Sequence, residues 1–381
     1  MNSYSLRLAH NYVDSDIQAM LRPFNVMHTI WFTPKYRIKN NLIQPNNLTI
    51  NFLSFLGTMM FIFLQIYQLY LVHVEEISII NSDPTYLTVN LEFIFYCTGF
   101  VTNYLFNVMK INDHVNFVLR LQNVHVFLNV TVYLKRFVIL NWFIVIFSFV
   151  YTVINSAIAN LVLNLSALNF LSCLSIICFE INFVNSISFI KFLSHVVDLW
   201  NVRVQNLDCD LEDAVGYNKN MFNAYANILK CYDLFRSNFE HMIIYIIVDS
   251  FFHALVRSQM SFDLFNLSKV QAEHNFKTAW VFTSFMDIWI VKNWILVISL
   301  SYYCEKFYKA IYNVQSSCTL ILKTNCSENA RRLCKNVQRL HRATFNKIIV
   351  CRLFYIDACF PLNLIALLAN YFIVLLQFAF F

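Results

Sequence analysis

The stretch NYFIVLLQFAFF, residues 370–381, ends the chain and reads as the end of a membrane helix with no cytoplasmic tail after it. Gln377 places an amide among lipid-compatible side chains, which is costly unless it faces a partner or a water-filled path. Val374, Gln377, Phe378 and Phe381 share one helical face at i, i+3, i+4 and i+7. This face predicts a pore lining in which several copies of the chain stack valine, amide and phenylalanine rings. The alternative is a Gln377 that bonds a neighbouring helix.

The composition is that of a membrane protein. Of the 381 residues, 58% are apolar and 13% are charged, and the mean hydropathy is +0.53. Soluble domains are about 45–50% apolar and about 25% charged. The formal net charge of +6 falls mainly in alternate loops and forms no single patch. We therefore expect an all-α membrane protein with no nucleic-acid partner.

Seven apolar spans have the ~20 residues that a bilayer helix needs. They lie at about 50–72, 86–106, 137–161, 167–193, 241–265, 278–303 and 348–378. Pro361 predicts a kink or break in the seventh span, between halves at 348–360 and 362–380. The predicted domains are a cytoplasmic N-terminal segment at 1–49, a six-helix ligand-binding bundle at 50–303, a cytoplasmic helical anchor region at 304–347, and a pore-lining seventh helix at 348–381.

The basic residues predict the orientation. Lys and Arg number 23 in the N-terminal segment and in the loops 107–136, 191–240 and 304–347, against 2 in the intervening loops. The positive-inside rule therefore predicts a cytoplasmic N-terminus and, with seven spans, an extracellular C-terminus. This orientation is inverted relative to G-protein-coupled receptors. It leaves the sequon at Asn266 outside the cell, where it is the better candidate for glycosylation.

The anchor region carries apolar residues near helical spacing among basic ones. These residues are Leu320, Leu333, Val337 and Leu340. One chain is not expected to bury such a stripe, so it predicts helices packed below the membrane between subunits. The alternative is a basic helix lying on anionic lipid.

Ionisable residues inside apolar spans are candidates for function because charges are costly there. With neighbouring amide and aromatic groups they predict an outward-facing pocket for a small polar or alkaloid-like ligand. The candidate ligand-binding residues are Glu92, Asn155, Glu180, Asp249, Phe252, His253, Trp280 and Asp287. The alternative is that they only tie helices together, for example through an Asp287–Lys292 pair.

Motifs for catalysis and cofactors are missing from the sequence. It contains no Gly-rich phosphate loop, no HExxH and no nucleophile elbow. The eleven cysteines include no CxxC pair, and none falls in a predicted outer loop. We therefore expect neither an enzyme nor a protein that needs a metal, a cofactor or disulfide bonds.

The C-terminal sequence resembles the signature of insect gustatory receptors. That signature is Thr-Tyr, five hydrophobic residues and then Gln-Phe, at the end of the seventh helix. The motif residues in this chain are Asn370, Tyr371, Gln377 and Phe378. Asn370 stands where that signature has threonine. Upstream, Phe354, Ile356 and Asp357 are similar to the family's hydrophobic-acidic lead into the same helix.

This resemblance implies a ligand-gated, non-selective cation channel opened by a small tastant, with a bitter or plant secondary compound favoured over a sugar. The implied partners are permeant cations, membrane lipids and identical or related subunits, arranged as a tetramer around one central pore. The implied location is the plasma membrane of a sensory-neuron dendrite. An odorant-receptor-type channel subunit is the second hypothesis, and a transporter or accessory membrane protein is the third.

Overall fold

The computed structural model of the chain describes residues 11–74, 83–162, 167–206, 214–267, 273–324, 327–350 and 354–380. Nearly all regular structure in these ranges is helical. The helices are α1 (Ser15–Ile30), α2 (Leu48–Val74), α3 (Asp83–Met109), α4 (Ile111–Leu128), α5 (Thr131–Val162), α6 (Ala167–Ser175), α7 (Ile177–Gln205), α8 (Ala214–Leu267), α9 (Glu273–Lys323), α10 (Glu328–Thr344) and α11 (Phe360–Phe380). Two short antiparallel hairpins pair β1 (Arg37–Lys39) with β2 (Leu42–Gln44), and β3 (Ile349–Val350) with β4 (Phe354–Tyr355).

Helix α7 lies at the centre of the bundle. Most of its side chains are buried, and its contact with α9 is the largest between two helices in the described residues. It also packs against α1, α5 and α8. At its C-terminal end, Trp200 is fully buried against Tyr225, and its indole nitrogen donates to the Met221 carbonyl at 2.9 Å. A helix that is apolar on all sides is buried on all sides, and α7 follows that rule.

The N-terminal segment is folded onto the bundle. The backbone N–H of Asp14 donates to Gln122 Oε1 at 3.0 Å, and Gln122 Nε2 donates back to Asp14 Oδ2 at 2.7 Å. Asn141 of α5 donates to the Met20 carbonyl at 3.2 Å and accepts from Ser188 of α7 at 2.7 Å. These bonds fix α1 against α4, α5 and α7.

Four helical segments in the described residues are long and apolar enough to cross a bilayer. They are Leu48–Leu71, Thr131–Ile158, Ala167–Gln205 and Gly216–Val256, and a shorter apolar helix spans Phe360–Val374. They coincide with the first, third, fourth and fifth predicted spans and with part of the seventh. Helices also cover the second and sixth spans, as parts of α3 and α9.

The predicted helical half at 348–360 was wrong. Its described residues form the β3–β4 hairpin, and α11 begins only at Phe360. Pro361 therefore lies in the first turn of α11, where its missing N–H would have no helical partner in any case. It starts the helix, and the predicted kink at this residue is absent.

The expectation that one chain cannot bury the anchor stripe was also wrong in part. Leu333 and Val337 of α10 are buried, since α10 packs on α8 and α9 of the same chain. Nearby, Tyr232 stacks on Phe307 with 4.7 Å between ring centroids. Leu320 remains 63% exposed. Only part of the stripe is thus left for other contacts.

Candidate ligand site and pore helix

The first group of buried polar residues joins α3 to α8. Glu92 and Tyr96 lie one turn apart on α3, and Asp249 and His253 lie one turn apart on α8, so each pair shares a helical face. His253 Nδ1 lies 3.2 Å from Glu92 Oε1, and its Nε2 lies 3.3 Å from Asp249 Oδ1. The Tyr96 hydroxyl reaches the same Nε2 at 2.8 Å.

The protonation of His253 decides which of these contacts are hydrogen bonds. When only Nδ1 carries a proton, His253 donates to Glu92 and accepts from the Tyr96 hydroxyl, so both bonds join α3 to α8. Asp249 lies on the same helix as His253, and its Oδ1 accepts no hydrogen bond among the described residues, so this contact is electrostatic when the imidazole is protonated.

The second group joins α5, α7 and α9. Lys292 of α9 donates to Glu180 Oε2 of α7 at 2.5 Å, and the two side chains are only 14% and 8% exposed. Thr152 of α5 donates to the same oxygen at 3.4 Å. The Lys292 ammonium also lies 5.1 Å from the ring centroid of Tyr151. Removing one partner of such a buried pair costs about 3–5 kcal/mol, because the other charge is left uncompensated.

Trp289 connects the two groups. Its ring meets the His253 ring edge-on with 4.6 Å between centroids, and the Lys292 ammonium lies 5.8 Å from its centroid. We refer to the ionisable residues of the two groups as the ion-pair cluster, which consists of Glu92, Glu180, Asp249, His253 and Lys292. Three carboxylates face Lys292 and His253, which together supply at most two positive charges, so the cluster can accept a further one.

Several polar atoms around the ion-pair cluster are buried and have no hydrogen-bond partner among the described residues. They are Glu180 Oε1, the Tyr151 hydroxyl, Asn155 Nδ2 and the Tyr245 hydroxyl. Buried polar groups in proteins are nearly always paired, and an unpaired one costs about 1–3 kcal/mol. A small molecule with both donors and acceptors would satisfy them.

An aromatic layer supports the cluster from the side of α3 and α8. The Tyr245 ring lies 4.5 Å from the Phe95 ring and 4.5 Å from the Phe179 ring, measured between centroids. Gly99 makes this approach possible, since a Cβ at that position would lie 2.4 Å from the Tyr245 ring. Tyr245 is one helical turn before Asp249, so the close approach at Gly99 also sets the position of that carboxylate.

The structure brings together Glu92, Asp249 and His253, with Glu180 in the neighbouring group. Asn155 lies one turn after Tyr151 on α5, which places its unpaired amide nitrogen beside the second group.

The other predicted pocket residues are placed differently. The half-buried Phe252 ring meets the His253 ring edge-on at 6.2 Å. Asp287 is exposed, whereas Glu180 and Asp249 are buried and Glu92 is partly buried, and Lys292 pairs with Glu180. The side chain of Trp280 lies outside the described residues, and so does that of Asn266 near the end of α8.

The sequence-based prediction omitted Tyr96, Tyr151 and Trp289 from the ligand site. A usable signal was present for two of them, because Tyr96 follows Glu92 by four residues and Trp289 precedes Lys292 by three. Such spacings place an aromatic ring on the same helical face as an in-span charge.

Helix α11 packs mainly against α8 and α9 in the described residues. Tyr371 meets Phe251 of α8 edge-on at 5.8 Å. Three amides recur every seven residues along α11, at Asn363, Asn370 and Gln377, and all three are exposed. Residues seven apart lie on nearly the same face, with a drift of about 20° per heptad. The helix thus carries an exposed amide stripe in an otherwise apolar sequence.

The remaining predicted pore residues are only partly described. Val374, three residues before Gln377, is 43% exposed. The side chains of Phe378 and Phe381 lie outside the described residues.

Comparison with known proteins gives a match in structure and none in sequence. No family model matches the chain, and no curated protein matches it. A solved structure of the insect olfactory receptor OR5 from Machilis hrabei superposes with a TM-score of 0.63 and 12% identity, over 96% of this chain and 100% of the receptor chain. The chain has the insect olfactory receptor fold.

This fold confirms the resemblance to insect chemosensory receptors at the level of chain architecture. Together with the apolar helices it identifies a multi-pass membrane protein. Identity of 12% carries no information on ligand, subunit composition or the distinction between olfactory and gustatory receptors.

Proposed function

We propose that the chain is a subunit of a ligand-gated, non-selective cation channel of the gustatory receptor type, opened by a small tastant. It resides in the plasma membrane of a sensory neuron with the N-terminus in the cytoplasm and the C-terminus outside. The Tyr371…Gln377-Phe378 motif favours the gustatory type, and the receptor fold favours a channel. Asn266, near the outer end of α8, carries an N-glycan.

The amide stripe of α11 is the observation that carries this proposal. Asn363, Asn370 and Gln377 are exposed on the surface of a single chain. Amides that faced lipid would lack hydrogen-bond partners and cost free energy. Facing a shared aqueous path in a tetramer, they are hydrated and coordinate cations without a fixed charge, which accounts for weak ion selectivity.

Exposed apolar residues support association of subunits. They lie on the C-terminal part of α9, at 302–323, which we call the α9 extension. Tyr302, Tyr312 and Leu320 are 60%, 71% and 63% exposed and fall within about 80° of one another around the helix. Apolar patches of this kind mark protein or lipid contacts. Contact between neighbouring α9 extensions would place four α11 helices around one axis.

The ion-pair cluster supports a ligand that is an amine or a multiple hydrogen-bond donor. Such a ligand competes with Lys292 for Glu180, or with His253 for Glu92 and Asp249. It satisfies the unpaired Glu180 Oε1 and stacks on the surrounding rings. Since the cluster joins α3, α5, α7, α8 and α9, exchange of an internal cation for a ligand shifts the packing of the helices that hold α11. This chemistry suits a plant secondary compound better than a sugar.

Expression of the chain in oocytes, with a panel of bitter compounds and sugars, tests the proposal. We expect a reversible cation current evoked by at least one amine-containing compound, with no added G-protein component. A tag after Phe381 that stains unpermeabilised cells measures surface expression and the proposed orientation together. A chain that reaches the surface and gives no current with any panel compound, alone or with related subunits, contradicts the channel proposal.

Variants of α11 test the pore assignment in the same cells. Gln377→Glu places a ring of carboxylates around the path and should raise divalent permeability or block. Phe378→Ala should produce leak without ligand, since a smaller apolar ring wets more easily. Ile365→Ala, at an exposed apolar position about 120° from Gln377 on the helix, is the control and should change neither property. Unchanged permeation and leak in both variants would assign the path to another helix.

An odorant-type channel subunit is the second candidate, and the likeness to an olfactory receptor favours it. The ligand panel distinguishes the two hypotheses, because volatile apolar ligands carry no positive charge that could pair with the three carboxylates. A response confined to such volatiles would favour the odorant type.

A further inference from the structure

Buried basic residues also lie outside the ion-pair cluster, at the place where α1, the segment that follows α1, α4, α7 and α8 meet. They surround a small cavity with room for about one water molecule. We call it the basic cavity, and the lining residues that matter here are His28, Lys35, Tyr36, His114, Asn185 and Phe239. None of these residues belongs to the ion-pair cluster or to the amide stripe.

Lys35 is the unusual member of the basic cavity. The residue is 4% exposed, and no carboxylate lies within 4.0 Å of its ammonium among the described residues. The contact of its ammonium is with the face of the Phe239 ring, 4.1 Å from the centroid. Burial lowers the pKa of Lys35 to about 7. An unpaired buried ammonium is costly, so a partner of opposite charge would be held strongly.

The histidines around Lys35 are held neutral. Burial, and then the charge of Lys35, lower the pKa of His28 well below its usual value. The pKa of His114 is lowered first by burial and then by Lys35, His28, His241 and Lys110. Among the residues that line the cavity, Lys35 is therefore the one that can carry a charge near pH 7, and none carries a negative charge, so the cavity favours an anion over a cation.

The polar groups around the cavity are mainly hydrogen-bond donors. His28 Nδ1 lies 3.2 Å from the Thr33 hydroxyl, and its Nε2 lies 3.4 Å from the Asn185 amide nitrogen. Asn185 Oδ1 is buried without a donor among the described residues. With the amide turned over, Oδ1 accepts from the imidazole and Nδ2 becomes a donor for a ligand. Lys35 and Tyr36 supply N–H and O–H donors.

We propose that the basic cavity binds one small monovalent anion of chloride size, with the Lys35 ammonium as its charge partner and His114 and Asn185 as hydrogen-bond donors. The single-water volume excludes sulfate, phosphate and organic carboxylates. The aromatic lining suits a monovalent halide, which loses its hydration more readily than a divalent oxyanion such as sulfate does. The bound anion ties the segment after α1 to α4 and α8, and on the proposed topology it is drawn from the cytoplasm.

The thermal midpoint of the purified full-length protein in detergent tests the proposal without requiring channel activity. Gluconate buffers are compared with chloride, bromide and sulfate buffers of equal ionic strength. We expect chloride and bromide to raise the midpoint in a saturable manner, and gluconate and sulfate to leave it unchanged. Binding takes up a proton at Lys35, so the half-saturating chloride concentration should rise about five- to tenfold per pH unit above pH 7.

Two lysine variants make the test specific. Lys35→Met keeps the length of the side chain, removes its charge and should abolish the chloride dependence. Lys110→Met is the matched control, since Lys110 is 29% exposed, lies 3.8 Å from Asp113 and does not line the cavity. In Lys110→Met the half-saturating chloride concentration should change by no more than about twofold, because only the long-range electrostatic effect of Lys110 on His114 is lost. Equal midpoints in chloride and gluconate, equal stabilisation by sulfate, or chloride dependence that survives in Lys35→Met would each overturn the proposal.

Discussion

The ion-pair cluster and the basic cavity bury charge in opposite ways. In the cluster Lys292 and His253 each have a carboxylate within 3.3 Å, and the Glu92–His253 and Glu180–Lys292 pairs join helices that are far apart in sequence. In the cavity Lys35 is buried to a similar degree, and its described contact is an aromatic ring. A paired buried charge ties elements of the fold together. An unpaired one raises the free energy of the folded state until a ligand compensates it.

The same substitution in both sites should therefore have opposite effects on stability. Lys292→Met leaves Glu180 as an uncompensated carboxylate and should destabilise the protein by about 3–5 kcal/mol. The loss is measured as a fall in the thermal midpoint and in the fraction of protein that survives heating in detergent. It is the largest effect that we expect from any single change discussed here.

A double variant shows whether the lost pairing is the cause. Glu180→Gln combined with Lys292→Met removes both charges and should recover at least half of the lost stability. A double variant as unstable as Lys292→Met alone would mean that the Lys292 ammonium acts through its cation–π contacts with Tyr151 and Trp289, which methionine cannot make.

Lys35→Met should stabilise the protein, and the gain should depend on pH. Folding lowers the pKa of Lys35 from its ordinary 10.5 to about 7, so the unfolded chain binds a proton that the folded chain lacks. The cost of keeping Lys35 grows as pH falls from 10.5 and is complete below pH 7. In gluconate the gain from Lys35→Met should be about 2–3 kcal/mol larger at pH 6.5 than at pH 9. Chloride should reduce this difference, and a gain independent of pH would show that Lys35 keeps its proton in the folded chain as it does in the unfolded one.

Sequence reasoning predicted the helical architecture because its signals are local. Long apolar spans specify bilayer helices, and each of the seven predicted spans overlaps a helix. It failed at 348–360, where the same apolar residues form a hairpin, since a short apolar run suits a strand as well as a helix. The role of Pro361 was misjudged for the same reason, because a proline that starts a helix and one that kinks it differ only in where the helix begins.

The candidate site was predictable in its charges and unpredictable in their pairing. In-span carboxylates are conspicuous in an apolar sequence, so Glu92, Glu180 and Asp249 could be selected directly. Their partners are set by the packing of five helices, and no spacing indicates that Lys292 meets Glu180. The basic cavity gave no signal at all. Lys35 lies in a polar N-terminal segment where a lysine is ordinarily exposed, and only tertiary burial distinguishes it.

Asp249→Asn gives the smallest of these effects and separates a ligand site from a structural tie. The amide keeps the shape of the side chain and removes its charge, so a ligand that contacts the carboxylate should lose about 1.5–3 kcal/mol, or roughly ten- to a hundredfold in agonist sensitivity. Single-channel conductance should not change, since Asp249 lies on α8 and the amide stripe lies on α11. Asp113→Asn, a part-exposed carboxylate paired with Lys110 outside the cluster, is the control and should leave agonist sensitivity within about twofold, as expected for an exposed pair. If Asp249→Asn instead fails to reach the cell surface while Asp113→Asn reaches it, the ion-pair cluster holds the bundle together and the ligand binds elsewhere. In that case the ion-pair cluster would have a structural role only, and of the two sites only the basic cavity would bind a ligand.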